Sequence, residues 1–250
     1  MLIRLNRKRS TVAGMAVLLS LLLQSGVVRA ISVAQIDDFE DVTLQDWKMG
    51  IDSVTTSYMT NISDGGPLGE GDNYLEVTSD SSVNFGGSKL TFFNRQQWAG
   101  DYTAAGITAI AMDLKNFSLS EALNMRLAIN GGFGTSSGMT GGVFTSAASI
   151  SLDVGSGWTR AVFSLLPGDL IPISGGVGGN TTGNDVQATL ANVLELRLLN
   201  SATPHWSGLR VTAELGVDNI HAVPLPPALA LFVSGLVVLL PRRRKQNHQS

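Results

Sequence analysis

The chain contains no cysteine, so disulfide frameworks, thiolate zinc sites and cysteine nucleophiles are excluded. Histidine is scarce. Between residues 31 and 223 there are only His205 and His221, in no HxxxH or HxE spacing, which leaves a zinc enzyme or a His-based hydrolase little to build from. Gly-x-Ser-x-Gly, Walker A and dinucleotide-binding fingerprints are missing, and Gly131-Gly-Phe-Gly134 reads as loop glycine. No repeat of 20–50 residues is visible, against a solenoid or propeller. Basic residues are few where they would matter. Residues 31–223 hold eight Lys and Arg against all twenty Asp and Glu, a net charge of −12. Phosphate contacts come from clustered cations, so this average makes nucleic acid an unsuitable partner.

What is present is glycine, 25 of the 193 residues from 31 to 223, with short apolar periodicities between turn-forming clusters. Strands are expected at Val33 to Phe39, Trp47 to Ser57, Asn73 to Thr78, Lys89 to Phe93, Gly106 to Leu114, Leu123 to Asn130, Gly142 to Ile150, Trp158 to Leu165 and Val193 to Asn200. A closing pair is expected at Leu209 to Glu214 and Leu215 to Val223, and one short helix or a loop at Asp185 to Asn192. Roughly nine to eleven short strands mean an all-β chain, an antiparallel β-sandwich, as one domain over 31–223.

The two ends hold nine of the seventeen basic residues and no acid. Residues 1–30 read as a secretory signal peptide: a basic segment from Arg4 to Arg9, an apolar stretch from Thr11 to Leu23, and Val28-Arg29-Ala30 before the cut. Signal peptidase is the implied processing enzyme, and an uncleaved anchor is the alternative. Residues 224–250 run from a proline-rich motif into thirteen uncharged residues, Ala228 to Leu240, and then Arg242-Arg243-Arg244-Lys245. Thirteen helical residues span about 20 Å, short of a hydrocarbon core of about 30 Å; the eighteen from Val223 barely suffice. The basic end would stay cytoplasmic and leave the body outside.

Val223-Pro224-Leu225-Pro226, the Ser234-Gly235 within the apolar stretch, and Arg242, Arg243 and Arg244 together resemble a PEP-CTERM sorting signal, the substrate of exosortase in Gram-negative bacteria. Leu225 replaces the Glu of the name-giving motif. The resemblance implies a signal helix and a C-terminal transmembrane helix flanking the body. It also implies export, transient anchoring in the inner membrane by that second helix, and release to the cell surface or exopolysaccharide matrix. An ordinary membrane anchor is the alternative.

The body has a resemblance of its own. Ile36-Asp37-Asp38-Phe39-Glu40-Asp41 near its start, Trp158 to Phe163, Leu190 to Leu196, and Leu215 to Ile220 at its end resemble jelly-roll carbohydrate-binding modules of the galactose-binding-like type. In many of these the first and last strands share a structural Ca²⁺. The matching residues are Glu40 or Asp41 with Asp218, and the chemistry suits a cation that takes hard oxygen ligands. The alternative is that Glu40 and Asp41 form a turn and Asp218 caps a strand.

Sugars stack on exposed rings. Trp98 and Tyr102 sit in the polar run Asn94 to Tyr102, and Trp206 in the turn-like Pro204 to Gly208; these three are the candidates for a glycan face. Trp47 and Trp158 lie in expected strands and are assigned to the core. Paired-acid hydrolysis needs two carboxyls about 5–10 Å apart, for which Glu70 with Asp72, Glu195 and Glu214 are nominal candidates. The leading expectation is a non-catalytic, exported β-sandwich with extracellular polysaccharide as its partner. The alternatives are a glycan-active hydrolase or lyase and a purely structural surface protein.

Overall fold

Side-chain alternation decides which way each strand faces. In β6 (Ile107–Asn116), Ile110, Met112 and Leu114 are sealed from solvent, while Asp113 and Lys115, on either side of Leu114, point out. In β4 (Tyr74–Ser79), Leu75 and Val77 do the same opposite Glu76. Every inward row of this kind joins one continuous core that includes Phe39, Trp47, Met49, Phe92, Leu127, Leu196 and Val217. Each such side chain contributes about 1.5–3 kcal/mol on leaving water.

The computed structural model describes residues 31–50, 58–84, 86–131, 141–173 and 185–225. These form two antiparallel sheets facing each other across that core. The first sheet runs β10 (Thr159–Ser164), β6, β13 (Ala213–Pro224), β4, β3 (Met59–Ile62), with β1 (Ile36–Asp37) also on β13. The second runs β11 (Leu170–Pro172), β8 (Val143–Ser146), β7 (Leu123–Asn130), β12 (Glu195–Asn200), β5 (Thr91–Asn94), β2 (Lys48–Met49), with β9 (Ile150–Leu152) also on β7. A short helix α1 (Val186–Leu190) precedes β12, and the Asp185 side chain caps it by accepting from the Ala188 N–H.

Several boundaries differ from the periodicity. Of the expected closing pair, Leu209 to Thr212 lies outside the named strands and Ala213 onward is one strand, β13, whose pairing with β4 runs unbroken across Glu214 and Leu215. It bends at a bulge between Asp218 and His221, where Asn219 takes φ +50°. Gly142 to Ile150 splits into β8 and the start of β9. β3 and β11 carry no alternation long enough to have been visible in the sequence. β1 shrinks to two residues.

Val223 and Pro224 of the sorting motif are the last residues of β13, and the Leu225 N–H still donates to the Gly106 carbonyl. The signal segment 1–30, Pro226, the apolar stretch and Arg242, Arg243 and Arg244 lie outside the described residues. Among the described residues no helix is long and apolar enough to cross a membrane.

Candidate glycan-binding face on the second sheet

Two of the three aromatic candidates are not surface groups. Trp98 and Tyr102 are fully buried. The Trp98 indole N–H donates to Asp37 Oδ2 at 2.6 Å, and the Tyr102 hydroxyl donates to the Trp98 carbonyl at 2.8 Å. Burial drives the Tyr102 pKa far up. Their polar tips are satisfied inside the fold, which lets rings in a polar-looking run leave water. The expected platform of Trp98, Tyr102 and Trp206 is therefore corrected: Trp98 and Tyr102 are core, and Trp206 stands elsewhere.

Trp206 lies on the outer face of the second sheet, 8% exposed, over a small apolar cluster of Ala128, Val143 and Leu199. The Arg197 guanidinium covers its ring at 3.9 Å and reaches Phe93 at 5.3 Å. Register explains the meeting. Arg197 in β12 stands opposite Phe93 in β5, and Phe93 opposite Lys48 in β2, so all three project from the same side. Arg95, just past β5, lies over the other part of Phe93 at 4.3 Å.

Glu195 ties the two arginines together. Its Oε1 accepts from Arg197 Nε at 2.7 Å and its Oε2 from Arg95 Nε at 2.7 Å. Burial lowers the Arg197 pKa, and the Glu195 charge opposes that shift. A guanidinium so paired stays charged. With each oxygen bonded to an arginine, Glu195 is a positioning group for two cations.

Beside this stack a pocket of about 140 Å³ opens, lined by Thr91, Phe93, Arg197, Ser88, Lys89 and Ser207 among others. Lys89 Nζ donates to the Ser207 hydroxyl at 3.1 Å. Gly50 forms part of the wall. Its φ is +72°, and a Cβ there would stand 2.7 Å from Gly86 Cα, so only glycine permits the approach. The combination of a buried aromatic wall at Phe93, a cationic group and hydroxyls in one recess suits a polyhydroxylated ligand.

No protein-family model matches the sequence, and neither does any curated protein. Solved structures do resemble it. An exo-β-agarase aligns over 78% of this chain at 17% identity with a TM-score of 0.50, and the chain spans 26% of that protein. The Family 11 carbohydrate-binding module from Clostridium thermocellum, solved with a β-1,3-1,4-mixed-linked tetrasaccharide, aligns over 76% of this chain and 95% of its own at 17% identity, TM-score 0.46. The CBM22-1 xylan-binding domain from Paenibacillus barcinonensis Xyn10C aligns over 79% and 98% at 11% identity, TM-score 0.43. The agarase match is a likeness of fold, a two-sheet β-sandwich occupying about a quarter of a larger enzyme.

The proposed calcium ligands separate. Asp41 is exposed and accepts from the backbone N–H and hydroxyl of Thr43, which lowers its pKa; it belongs to its own turn. Glu40 accepts from the Asn73 N–H at 2.9 Å. Asp218 is buried at the β13 bulge, accepting from the backbone N–H and the amide of Asn219. Burial pushes its pKa up to about 7, and the charges of Asp72, Asp113 and Glu40 add to the rise against the Asn219 hydrogen bond. Among the described residues no three Asp, Glu or His side chains converge to hold a metal ion. Glu40 and Asp218 feel each other; Asp41 is not part of the set.

The carboxylate candidates for hydrolysis also resolve. Glu76 and Glu214 are neighbours on the first sheet, and burial, then the Glu214 charge and hydrogen bond, raise the Glu76 pKa. Two carboxyls hydrogen-bonded to each other leave no room for a sugar between them. Glu70 and Asp72 lie in a surface loop, where Asp72 Oδ2 accepts from the Leu68 N–H.

Trp158 departs from its expected core position. It is half-buried outside the first sheet, edge-on to Tyr74 and Phe117, with its N–H on the Gly65 carbonyl at 3.1 Å. It packs over Gly216, where a Cβ would meet the ring at 2.8 Å. The rings of this cluster pack on one another.

The residues that sequence reasoning missed are Phe93, Arg95, Arg197, Lys48 and Lys89. A signal existed. Leu196-Arg197-Leu198 and Met125-Arg126-Leu127 each place one arginine in an otherwise apolar alternation, which marks an outward face in two adjacent strands.

Proposed function

We propose that this chain is a non-catalytic jelly-roll module that binds an extracellular polysaccharide on the outer face of its second sheet. One observation carries the reading: the pocket beside the stacked Arg197, Phe93 and Trp206, where aromatic, cationic and hydroxyl groups meet. The carbohydrate-active names of the solved structures support it. Immobilised polysaccharides covering neutral and acidic types should retard the protein in affinity electrophoresis. Lys89→Ala should weaken retention about tenfold, a loss of roughly 1.4 kcal/mol. A wild-type protein that no polysaccharide retards would defeat the proposal.

The same proposal includes the address. The terminal segments support export by signal peptidase, transient anchoring by the C-terminal apolar stretch, and exosortase processing to the cell surface or matrix. Mass spectrometry of the released and cell-associated protein should find chains ending short of Ser250. An intact Ser250 terminus in both fractions would overturn the sorting claim.

Ca²⁺ completes the proposal. Glu40 and Asp218 would hold the ion, with main-chain carbonyls filling the shell that hard cations require. The support is the buried Asp218 carboxyl at the β13 bulge, whose pKa is raised by burial and by the charges of Asp72, Asp113 and Glu40. The ion would brace the first and last strands and has no catalytic part.

A further inference from the structure

The net charge of −12 is not spread evenly. The strands of the first sheet carry five acids, Asp37, Glu76, Asp113, Glu214 and Asp218, against Lys115 and Arg160. The strands of the second sheet carry one acid, Glu195, against Lys48, Arg126 and Arg197. Arg95 and Lys89 flank β5 at its two ends, beside the Arg197 and Lys48 positions; the acids that flank this sheet within two residues, Asp46, Glu121, Asp153 and Asp169, adjoin β2, β7, β9 and β11.

Their roles differ. Arg126 is consumed by the fold, donating to the carbonyls of Ser146, Ala147, Ser201 and Ala202. Arg197 is buried against Trp206 and shares Glu195 with Arg95. Lys48, Lys89 and Arg95 keep part of their surface in solvent around the same stack. Among the described lining residues the charged groups are Lys89 and Arg197, with Lys48 and Arg95 beside them and Glu195 paired to the two arginines. A cationic recess on an otherwise acidic domain focuses the field toward an anionic ligand while the remaining surface repels it, which selects for docking on this face.

We infer that the ligand of this face is an anionic polysaccharide, one whose sugar rings carry carboxylate or sulfate groups, rather than a neutral one. This rests on the glycan-binding reading and adds the ligand's charge. The recess offers what suits such a chain: the Lys89 ammonium, with Lys48 beside it, for the acid groups, the paired guanidinium of Arg197 as fixed positive charge, and the Thr91, Ser88 and Ser207 hydroxyls for the sugar hydroxyls. Arg197 is pre-positioned by Glu195 and the Trp206 ring, so little side-chain freedom is lost on binding.

The experiment is a binding titration of the described domain within the full chain against four probes: polygalacturonate, a sulfated galactan, neutral agarose oligosaccharides, and a single-stranded oligonucleotide. Expected are binding to one or both acidic glycans that weakens as salt rises, and at least tenfold weaker binding to the neutral one. The carboxylated and sulfated arms tell the two acid groups apart. The double variant Lys48→Gln with Lys89→Gln should lose about tenfold in affinity and show a shallower salt dependence. Lys115→Gln with Arg160→Gln, which removes the same charge from the opposite sheet, should leave affinity within about twofold. Equal or tighter binding of the neutral glycan overturns the inference and leaves the glycan-binding reading standing. Binding of none of the four overturns both. Oligonucleotide binding as tight as the acidic glycan overturns the inference in favour of indiscriminate polyanion contact.

Discussion

Asp37→Ala is expected to destabilise the domain by about 3–5 kcal/mol, lowering the thermal midpoint by roughly 10 °C. The carboxylate is a buried hub. Its Oδ2 accepts from the Trp47 indole at 2.7 Å and the Trp98 indole at 2.6 Å, its Oδ1 from Gln35 at 2.9 Å, and Gln97 approaches both oxygens. Burial raises the Asp37 pKa, and these hydrogen bonds oppose the rise. Alanine removes the acceptor and strands two indole donors inside the core, where an unmet donor costs more than a made bond contributes. Asp37→Asn keeps acceptor oxygen but loses charge and one acceptor site, so a smaller loss is expected. Melting followed by circular dichroism checks the pair. A shift within about 2 °C for alanine would show that the hub is not what joins the Trp47 and Trp98 segments to β1.

The second large effect is on pH dependence. Asp218 has a folded-state pKa of about 7, raised from the ordinary 3.8 mainly by burial. A raised pKa means that the folded state holds the proton more tightly. The resulting stabilisation is complete below about pH 4 and is lost as pH rises through about 7. Asp218→Asn removes that titration. The wild-type midpoint should therefore fall between pH 4 and pH 7 more steeply than the variant's. Parallel curves would rule out a displaced Asp218. Calcium gives the complementary result. Millimolar Ca²⁺ at pH 7.5 should raise the wild-type midpoint relative to EDTA and leave Asp218→Asn unmoved, since a ligand of the native state alone must stabilise it. An unchanged wild-type midpoint would dispose of the calcium proposal without touching the pH prediction.

Much of the layer architecture was legible from alternation. β7 begins and ends where its periodicity does, and β4, β6, β10 and β12 fall within two residues of theirs, because each must bury one face and wet the other. β3 and β11 were not legible. They are edge strands of four and three residues, ordered by the neighbours they pair with rather than by their own pattern. The long β13 was divided between Glu214 and Leu215 because Leu209 to Glu214 reads as a strand of its own, whereas pairing with β4 runs unbroken from Ala213 through Val217.

The site was less legible than the fold, and the reason is the same in each case. Whether a ring is exposed depends on what lies across from it. Trp98 and Tyr102 sit among polar neighbours in sequence, yet Asp37, sixty-one residues from Trp98, draws the indole inward. Trp158 sits in a strand pattern, yet Gly216 from the last strand gives it a seat outside the sheet. Glu195 was one of several acids until Arg95 and Arg197 claimed its two oxygens from opposite sides.

The sequence by itself determined the all-β class, the absence of cysteine and so of thiol chemistry, and the separation of an acidic body from two basic, apolar ends. These are properties of composition and of short-range periodicity, which do not depend on where distant residues meet. Tertiary structure alone decided where the charge goes. A body of −12 argues against anionic ligands only if its charge is uniform, and strand pairing makes it otherwise. β2, β5, β7 and β12 come from four separate stretches of chain, and lying side by side they gather Lys48, Lys89, Arg95, Arg126 and Arg197 while sending most of the acids elsewhere. Register is a long-range property, and a cationic face built by register has no signature in any one segment of the sequence.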